Sequence, residues 1–515
     1  MFVPAAETEV LEHFDVLIVG AGLSGIDAAY HLQKICPTKG YVILEQRERI
    51  GGTWDLFRYP GVRSDSDMLT MGYSFRPWTS PKAICSGEGI RDYITATACE
   101  EGIDGHIRFH HRIQRAAWSS QEAKWTVEAV RKRRGGGDEP EPVKLTCCFL
   151  FWCAGYYRYS AGYLPEFPDL DCFKGRIVHP QAWPEDLNYA GKRVVVIGSG
   201  ATAMTLLPAI AKTAGHVTML QRSPTYVISA PDEDPIANWL RGVLPAMWAY
   251  RLSRWKNITL MMCVYQLARR YPNLVKAGLI RKVRRELGAE YDVATHFTPR
   301  YNPWEQRLCL VPNGDLFRAI RSGGASVVTD EIDRFVERGL RLKSGKKLEA
   351  DIVVTATGLV LEAFGGAELS VDGRSVDPGK TLAYKGVMMS GVPNLASVFG
   401  YINASWTLKA DLICSYVCRL INYMDRKGVR QVRPTSLDAK AEAPFVNNFT
   451  PGYMRRALAS WPKQGSKSPW RVYQNYIRDT ISLKWSSIDN DQLEFSNPPT
   501  NGSVALPDDL VHMVR

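Results

Sequence analysis

The 515-residue chain lacks the cysteine patterns of a redox-active or zinc-binding protein. Its eleven cysteines include no Cys-x-x-Cys pair and form no His/Cys cluster with zinc spacing. We therefore predict no bound metal and reduced thiols, as in a cytoplasmic protein. Cys148 and Cys153 come closest to a redox pair, but five extended residues would separate them by roughly 16 Å, which is too far for a disulfide. This spacing argues against a disulfide reductase.

Long apolar runs are also missing. The longest, such as residues 145–155, are too short to span a bilayer. The N-terminal residues lack a basic region followed by an apolar core, so we expect no signal peptide. These absences predict a cytoplasmic protein, with peripheral membrane attachment as the alternative.

Acidic residues are nearly absent from residues 236–287, which contain eleven Lys and Arg residues but only one acid, Glu286. This segment therefore holds almost all of the formal net charge of +11. Because the rest of the chain is close to neutral, we expect no nucleic-acid-binding surface.

The same basic segment has the composition of helices, and tryptophans are interleaved with its charges. Trp255, Ile258, Met262 and Tyr265 fall near one helical face. We expect this face to pack on the second nucleotide-binding domain described below and to roof a substrate pocket. The alternative is that residues 236–290 contact a lipid surface or a partner protein.

Two glycine-rich turns each join a buried strand to a helix. One contains Gly20, Gly22 and Gly25, and the other contains Gly198, Gly200 and Thr202. Glycines let the backbone approach a pyrophosphate, and the helix N-terminus supplies free N–H groups. One such turn alone can serve packing only, but two in matching strand contexts predict two bound dinucleotides.

The residues that end the following strand distinguish the two nucleotides. Glu45 would accept hydrogen bonds from ribose hydroxyls and repel a 2′-phosphate, so the first site suits FAD or NAD. The second strand ends at Arg222 and Ser223, a guanidinium beside a hydroxyl, which suits the 2′-phosphate of NADP. Arg222 as an ordinary surface residue is the alternative.

These patterns predict an α/β fold with two Rossmann-like dinucleotide-binding domains, the second inserted in the first. The runs 149–155 and 351–358 both have the form of strands beneath a flavin. The predicted order is therefore an FAD domain (1–155), a linker (156–190), an NADPH domain (191–345) with a helical insertion (236–290), the FAD domain again (346–490) and a loose tail (491–515). The charged loop 131–142 is expected to be a hairpin tip, with a nuclear signal as the alternative.

The linker carries the most specific pattern, Phe173-x-Gly175-x-x-x-His179-x-x-x-Trp183-Pro184. In every fixed position it resembles the type I Baeyer–Villiger signature of the class B flavoprotein monooxygenases. The resemblance implies an enzyme that uses FAD, NADPH and O2 to convert a small apolar ketone into an ester or lactone, and that also oxidises sulfides or thioamides. A monooxygenase acting only on sulfur or nitrogen is the alternative, and the oligomeric state stays open.

The resemblance also implies roles for individual residues. Arg307 corresponds to the active-site arginine, Asp65 to the aspartate that positions it, and His179 to the signature histidine that couples domain movement to catalysis. The cofactor-binding set it implies is Gly20, Gly22, Gly25, Glu45, Gly52, Thr53 and Trp54 for FAD, and Gly198, Gly200, Thr202, Arg222 and Ser223 for NADPH.

Some alternatives and departures remain at this point. Asp65 could instead cap a helix, and Arg307 could form a structural ion pair with Glu305 or a neighbouring residue. Gln306 stands where many relatives have lysine, which predicts a weaker preference for NADPH over NADH.

Overall fold

The computed structural model describes residues 11–132, 140–435, 441, 443–446 and 449–499. The α-helices in this part of the chain are α1 (Leu23–Ile35), α2 (Thr53–Leu56), α3 (Met68–Met71), α4 (Gly87–Glu100), α5 (Ala201–Ile210), α6 (Pro235–Val243), α7 (Ala246–Arg270), α8 (Pro272–Leu287), α9 (Val293–Phe297), α10 (Asp315–Arg321), α11 (Trp406–Lys427), α12 (Gly452–Ala457) and α13 (Tyr476–Thr480). Residues Ile481–Trp485 continue α13 as a π-helical turn.

The strands are β1 (Glu12–Val19), β2 (Tyr41–Leu44), β3 (Ile107–Arg108), β4 (His111–Ser119), β5 (Lys124–Arg131), β6 (Glu141–Trp152), β7 (Arg176–Val178), β8 (Arg193–Ile197), β9 (His216–Gln221), β10 (Tyr226–Ala230), β11 (Leu308–Pro312), β12 (Ala325–Thr329), β13 (Ile332–Val336), β14 (Gly339–Leu342), β15 (Lys347–Glu349), β16 (Ile352–Thr355), β17 (Glu368–Val371), β18 (Arg374–Ser375), β19 (Ala383–Tyr384), β20 (Met388–Met389), β21 (Leu395–Ser397), β22 (Gln431–Pro434), β23 (Ala443–Pro444), β24 (Lys463–Gln464) and β25 (Leu493–Ser496).

The first large sheet has the order β18-β17-β4-β5-β6-β1-β2-β3, with β21 added on β6. Strand β1 is buried on both faces because its side chains alternate between two cores. Val16 and Ile18 pack with α1 and α11, whereas Leu17 and Val19 pack on the side of Trp118. This sheet therefore combines the N-terminal residues with strands that follow residue 367.

The second sheet is parallel and has the order β12-β9-β8-β16-β7. It corrects one prediction. The run 351–358 was expected beneath the flavin in the first sheet, but its strand β16 pairs with β8 and β7 in the second. Run 149–155 does belong to the first sheet, through β6. The chain re-enters the first sheet at β17, which pairs with β4.

The basic segment forms three helices, α6, α7 and α8, and its packing differs in part from the expectation. Helix α7 packs on the first domain, since Ile258 lies in a buried cluster with Tyr401 and Leu408. Arg254 is buried and donates from Nη1 to the carbonyl oxygens of residues 69, 70 and 72, at 3.1, 3.0 and 2.7 Å. Helix α8 packs on the second domain, where Val283 and Leu287 join its core.

Two further expectations concern the chain ends and the charged loop. Part of the predicted tail is a strand, since β25 pairs antiparallel with β22, so the expectation of a loose tail is wrong for residues 493–496. Strands β5 and β6 flank loop 131–142 as an antiparallel pair, but residues 133–139 lie outside the described part. Among the described residues, no helix is long and apolar enough to cross a membrane.

Candidate functional site

One cavity of about 910 Å³ lies between the two sheets and is lined by both glycine turns. It contains all of the site residues predicted from the sequence except Gly25 and His179. The carboxyl ends of the central strands of both sheets, β1 and β8, open into this cavity, as expected for a ligand site in a parallel sheet.

The first turn brings its backbone close to neighbouring chain segments. Gly20 has a φ of +97°, and a Cβ on Gly25 would lie 1.8 Å from the carbonyl oxygen of Gly20. Gly25 therefore allows α1 to pack against the end of β1, although it does not face the cavity. A Cβ on Gly22 would lie 3.4 Å from the Cα of Gly52, so two glycines face each other across the entrance to α1.

The N-terminus of α1 has no side-chain cap, because Gly22 occupies the capping position. The first N–H groups of a helix need an outside acceptor, and an anionic group fits this position. Residues Gly52, Thr53 and Trp54 line the cavity beside it. The local geometry therefore fits a pyrophosphate held between two backbone segments.

Glu45 lies at the end of β2, is 3% exposed and accepts 2.8 Å hydrogen bonds from the N–H groups of Ala21 and Arg47. Burial raises its pKa, while these two hydrogen bonds act to lower it. Each carboxylate oxygen keeps a further lone pair, so Glu45 can still accept from ribose hydroxyls.

The second turn resembles the first, except that no other backbone segment closely faces its second glycine, Gly200. Gly198 has a φ of +129°, and a Cβ there would lie 2.3 Å from the carbonyl oxygen of Ala356 on the loop after β16. Gly200 precedes α5 without a side-chain cap, and a Cβ on it would meet nothing within 4 Å. Its Cα therefore faces open space in the cavity, where a phosphate can approach the backbone.

Arg222 and Ser223 follow β9 and are both exposed at the cavity wall. The charge of Arg222 helps to lower the pKa of Glu331, though Lys343 is the larger cause. Asp330 and Glu331 also line this end of the cavity. Their negative charges would oppose the binding of an anion at this end of the cavity.

Arg307 and Asp65 form a charged pair in the wall of the cavity. Nε and Nη2 of Arg307 both donate to Oδ2 of Asp65, the first at 2.8 Å. The Arg307 side chain is still 40% exposed, towards the cavity. The neighbouring Asp65 charge raises the pKa of Arg307, so the guanidinium stays protonated.

Asp65 does not cap α3, and Glu305 is not the partner of Arg307. The residue that caps α3 is Asp67, which accepts from the N–H of Thr70 at 3.0 Å. Glu305 accepts from the backbone N–H of Asn302 at 2.9 Å rather than from Arg307.

Three tyrosines near Arg307 were missed by the sequence analysis. The hydroxyls of Tyr156 and Tyr157 lie 3.1 Å apart, and both residues line the cavity with Tyr453. Burial raises the pKa of Tyr453 to about 12, and the charge of Arg307 acts in the opposite direction. Tyr156 and Tyr157 lie in the loop after the carboxyl end of β6, and that position was the available signal.

His179 lies outside the cavity, and its role in coupling domain movement to catalysis stays a prediction. Its Nδ1 accepts from the N–H of Gln181 at 3.1 Å, so Nε2 carries the proton and donates to the carbonyl oxygen of Gly358 at 3.2 Å. Burial lowers the pKa of His179. A Cβ on Gly162 would lie 1.9 Å from the imidazole ring, so the ring holds the linker against the loop after β16.

The cysteines and a buried acidic cluster bear on the redox and metal predictions. All eleven cysteines are free, which excludes a disulfide between Cys148 and Cys153.

Asp27, His31 and Asp411 lie within metal-binding distance of one another. His31 already bridges the two carboxylates at 3.2 and 3.4 Å. Burial acts to lower the pKa of His31, but Asp27 and Asp411 together raise it to about 9. The imidazole is therefore protonated, and its positive charge offsets the negative charge of the two carboxylates.

Comparison with known proteins gives consistent matches along the chain. The model of the FMO-like (flavin-binding monooxygenase-like) family matches residues 13–388. The chain is 55% identical over 492 residues to the FAD-containing monooxygenase EthA of Mycobacterium tuberculosis (strain ATCC 25618 / H37Rv), covering 95% of this chain and 99% of that protein. It is 48% identical over 489 residues to the probable FAD-binding monooxygenase AlmA of Acinetobacter baylyi, covering 94% and 96%.

Solved structures of low sequence identity share the fold. An oxidized steroid monooxygenase bound to NADP matches with a TM-score of 0.72 at 21% identity, covering 94% of this chain and 100% of that chain. An open crystal structure of cyclohexanone monooxygenase matches with a TM-score of 0.70 at 20% identity, with the same coverage. The predicted α/β fold with two Rossmann-like domains is confirmed.

Proposed function

The chain belongs to the flavin-binding monooxygenase-like family, and we propose that it is an FAD-containing, NADPH- and O2-dependent Baeyer–Villiger monooxygenase. The proposed reaction inserts one oxygen atom beside the carbonyl of an apolar ketone and gives an ester or lactone. Sulfides and thioamides are proposed as further substrates. The observation that supports this best is the Arg307–Asp65 pair facing one cavity between two nucleotide-binding turns.

FAD is assigned to the first turn. We propose that the uncapped N-terminus of α1 binds its pyrophosphate and that Glu45 binds the adenosine ribose. The facing glycines Gly22 and Gly52 leave room for the phosphates, since a side chain on either would narrow the gap. Bound there, FAD would supply the redox chemistry, taking a hydride from NADPH and activating O2 for transfer to the substrate.

NADPH is assigned to the second turn. Gly200 exposes the backbone before α5 to the pyrophosphate, and Arg222 and Ser223 are placed to bind the 2′-phosphate. The carboxylates of Asp330 and Glu331 at the same end oppose that anion. We therefore expect a moderate preference for NADPH over NADH.

Arg307 is the proposed catalytic residue. Its guanidinium stays protonated and points part of its surface into the cavity, so it can stabilise negative charge that develops on oxygen during the reaction. Asp65 orients the guanidinium through Nε and Nη2, which leaves Nη1 outside this contact. Asp65 also offsets part of the charge, so it must lie farther from the reacting oxygen than Arg307 does.

The proposal is tested by incubating the purified flavoprotein with NADPH, isotopically labelled O2 and either an apolar ketone or an apolar sulfide. We expect an ester or lactone that carries one labelled oxygen atom, measured by mass spectrometry. Oxygenation of the sulfide alone would replace the proposal with the heteroatom-only alternative. NADPH consumption without any labelled product from a broad set of ketones and sulfides would contradict it altogether.

A second prediction concerns cofactor selectivity. Replacing Arg222 with alanine should raise KM for NADPH about tenfold to a hundredfold, because a hydrogen bond to a charged group contributes about 1.5–3 kcal/mol. KM for NADH should stay unchanged. Steady-state kinetics with both cofactors measures the effect, and Arg374→Ala, an exposed arginine on β18, is the control. An equal rise in KM for both cofactors would show that Arg222 does not contact a 2′-phosphate.

A further inference from the structure

Exposed apolar side chains are concentrated on one part of this protein. In the described part of the chain, fifteen large hydrophobic residues are exposed, and eleven of them lie between residues 236 and 274. Three more lie between residues 477 and 485, which leaves only Leu164 elsewhere. Large apolar patches are rare on soluble proteins and mark interaction sites. We call these fourteen side chains the outer apolar face: Ile236, Trp239, Val243, Trp248, Leu252, Trp255, Leu260, Val264, Leu267, Tyr271, Leu274, Ile477, Ile481 and Trp485.

Helical spacing places many of these residues side by side. Trp248, Leu252 and Trp255 follow one another at i, i+4 and i+7 on α7, so they share one side of the helix. The Trp255 ring lies 5.8 Å from the ring of Tyr476, which joins this side of α7 to the segment 477–485. The outer apolar face is therefore continuous between α7 and α13.

The orientation of α7 is fixed by its opposite side. The buried Arg254 donates to the carbonyl oxygens of residues 69, 70 and 72, and Ile258 packs against Tyr401 and Leu408. The exposed residues cannot turn inward without breaking these contacts. Trp248 and Trp255 on α7, which are 60% and 53% exposed, consequently point to the surroundings of the protein, and Trp239 on α6 is 65% exposed.

Basic side chains without acidic partners accompany this face. In the part of the segment that the structure describes, its ion pairs are Lys256–Asp234 and Glu286–Arg321. Arg251 lies over the ring of Trp248 at 5.9 Å. On α8, Leu274, Arg281 and Arg285 share one side at i, i+7 and i+11. The arginines left exposed without an acid are Arg251, Arg269, Arg270, Arg281, Arg284 and Arg285.

We propose that the outer apolar face and its arginines dock the protein on an anionic lipid surface. Tryptophan and tyrosine suit the boundary between headgroups and acyl chains, and arginine binds lipid phosphates. A helix with apolar residues on one side and basic residues beside them lies in such an interface. A second copy of this chain is a poorer occupant, because a symmetric contact would press two cationic faces together.

The outer apolar face adjoins the wall of the cavity. Met262 and Tyr265 on α7 line a small pocket together with Tyr401 and Ala404, and those last two residues also line the large cavity. The ring of Tyr265 lies 5.6 Å from Trp304, on the loop that carries Arg307. Lipid docking would thus place the cavity next to the membrane, into which apolar molecules partition.

The test is co-sedimentation of the full-length flavoprotein with vesicles. Binding should be at least about tenfold stronger to vesicles that contain phosphatidylglycerol than to phosphatidylcholine alone, and it should weaken at high salt, because several arginines contact the charged surface. The double variants W239S/W248S and R281E/R285E should each lose most of this binding while keeping bound flavin.

Matched controls are Leu164→Ser, an exposed apolar residue outside the face, and Arg374→Glu, an exposed arginine on β18. Both should bind vesicles like the unmodified protein. The proposal is overturned by an absence of vesicle binding, by equal binding of all variants, or by a dimer in sedimentation velocity that W239S/W248S dissociates. None of these outcomes depends on oxygenation activity.

Discussion

Replacing Arg307 with alanine should give a flavoprotein that still consumes NADPH but makes almost no oxygenated product. The side chain faces the cavity and interacts with Asp65, so its loss should not disturb either sheet. A cation about 4 Å from a developing oxyanion contributes roughly 4 kcal/mol at an effective dielectric near 20. That energy corresponds to about a thousandfold in rate. NADPH oxidation should then yield hydrogen peroxide instead of ester or lactone.

The measurement is the ratio of product to NADPH consumed, with peroxide determined in parallel. Arg300→Ala is a suitable control, because Arg300 is an exposed arginine seven residues earlier in the same loop region. Arg307→Lys keeps the charge but loses the two-point contact with Asp65, and an intermediate yield is expected. A normal product yield from Arg307→Ala would remove this residue from the mechanism.

Replacing Gly25 with alanine should have the largest effect on assembly of the protein. The added Cβ would lie 1.8 Å from the carbonyl oxygen of Gly20, and backbone cannot move aside as a flexible side chain can. Helix α1 would have to shift away from β1, which would displace the proposed pyrophosphate site at its N-terminus. Overpacking of this kind costs about 1–3 kcal/mol or more, so bound flavin should fall about tenfold or more.

Gly200→Ala is the matched variant in the other turn. A Cβ there meets nothing within 4 Å, so the thermal midpoint and the flavin content should stay unchanged while KM for NADPH rises. Flavin absorbance per polypeptide and thermal unfolding measure both variants. A Gly25→Ala protein that purifies with its full flavin content would contradict the proposed role of the first turn.

Much of the site could be predicted because its parts follow from local sequence. Glycine is needed at a strand-to-helix turn for a specific steric reason, because the backbone must approach its ligand closely. The carboxyl end of a parallel strand is where ligands bind. Glu45 and Arg222 could be found by counting along the chain from each turn. The pairing of Asp65 with Arg307, 242 residues apart, came only from the family resemblance, since no local pattern connects them.

Other features could not be read from the sequence, for physical reasons. A short apolar run such as β16 indicates a buried strand but does not specify its neighbours, so its place in the second sheet was missed. Arg254 belongs to the basic segment, yet it is buried, because the backbone carbonyls of residues 69, 70 and 72 accept hydrogen bonds from its Nη1. Tyr453 joins Tyr156 at the cavity only after almost the whole chain has folded.

The composition of the two sheets also has a consequence for biosynthesis. The strands of the second sheet lie between residues 176 and 355, so a ribosome can deliver that unit in one continuous stretch. The first sheet must hold its N-terminal strands until Leu395–Ser397 and then α11 emerge. Until then, later segments do not yet cover the apolar surface of β6 and α1. The nascent chain can therefore bind chaperones or aggregate through this surface.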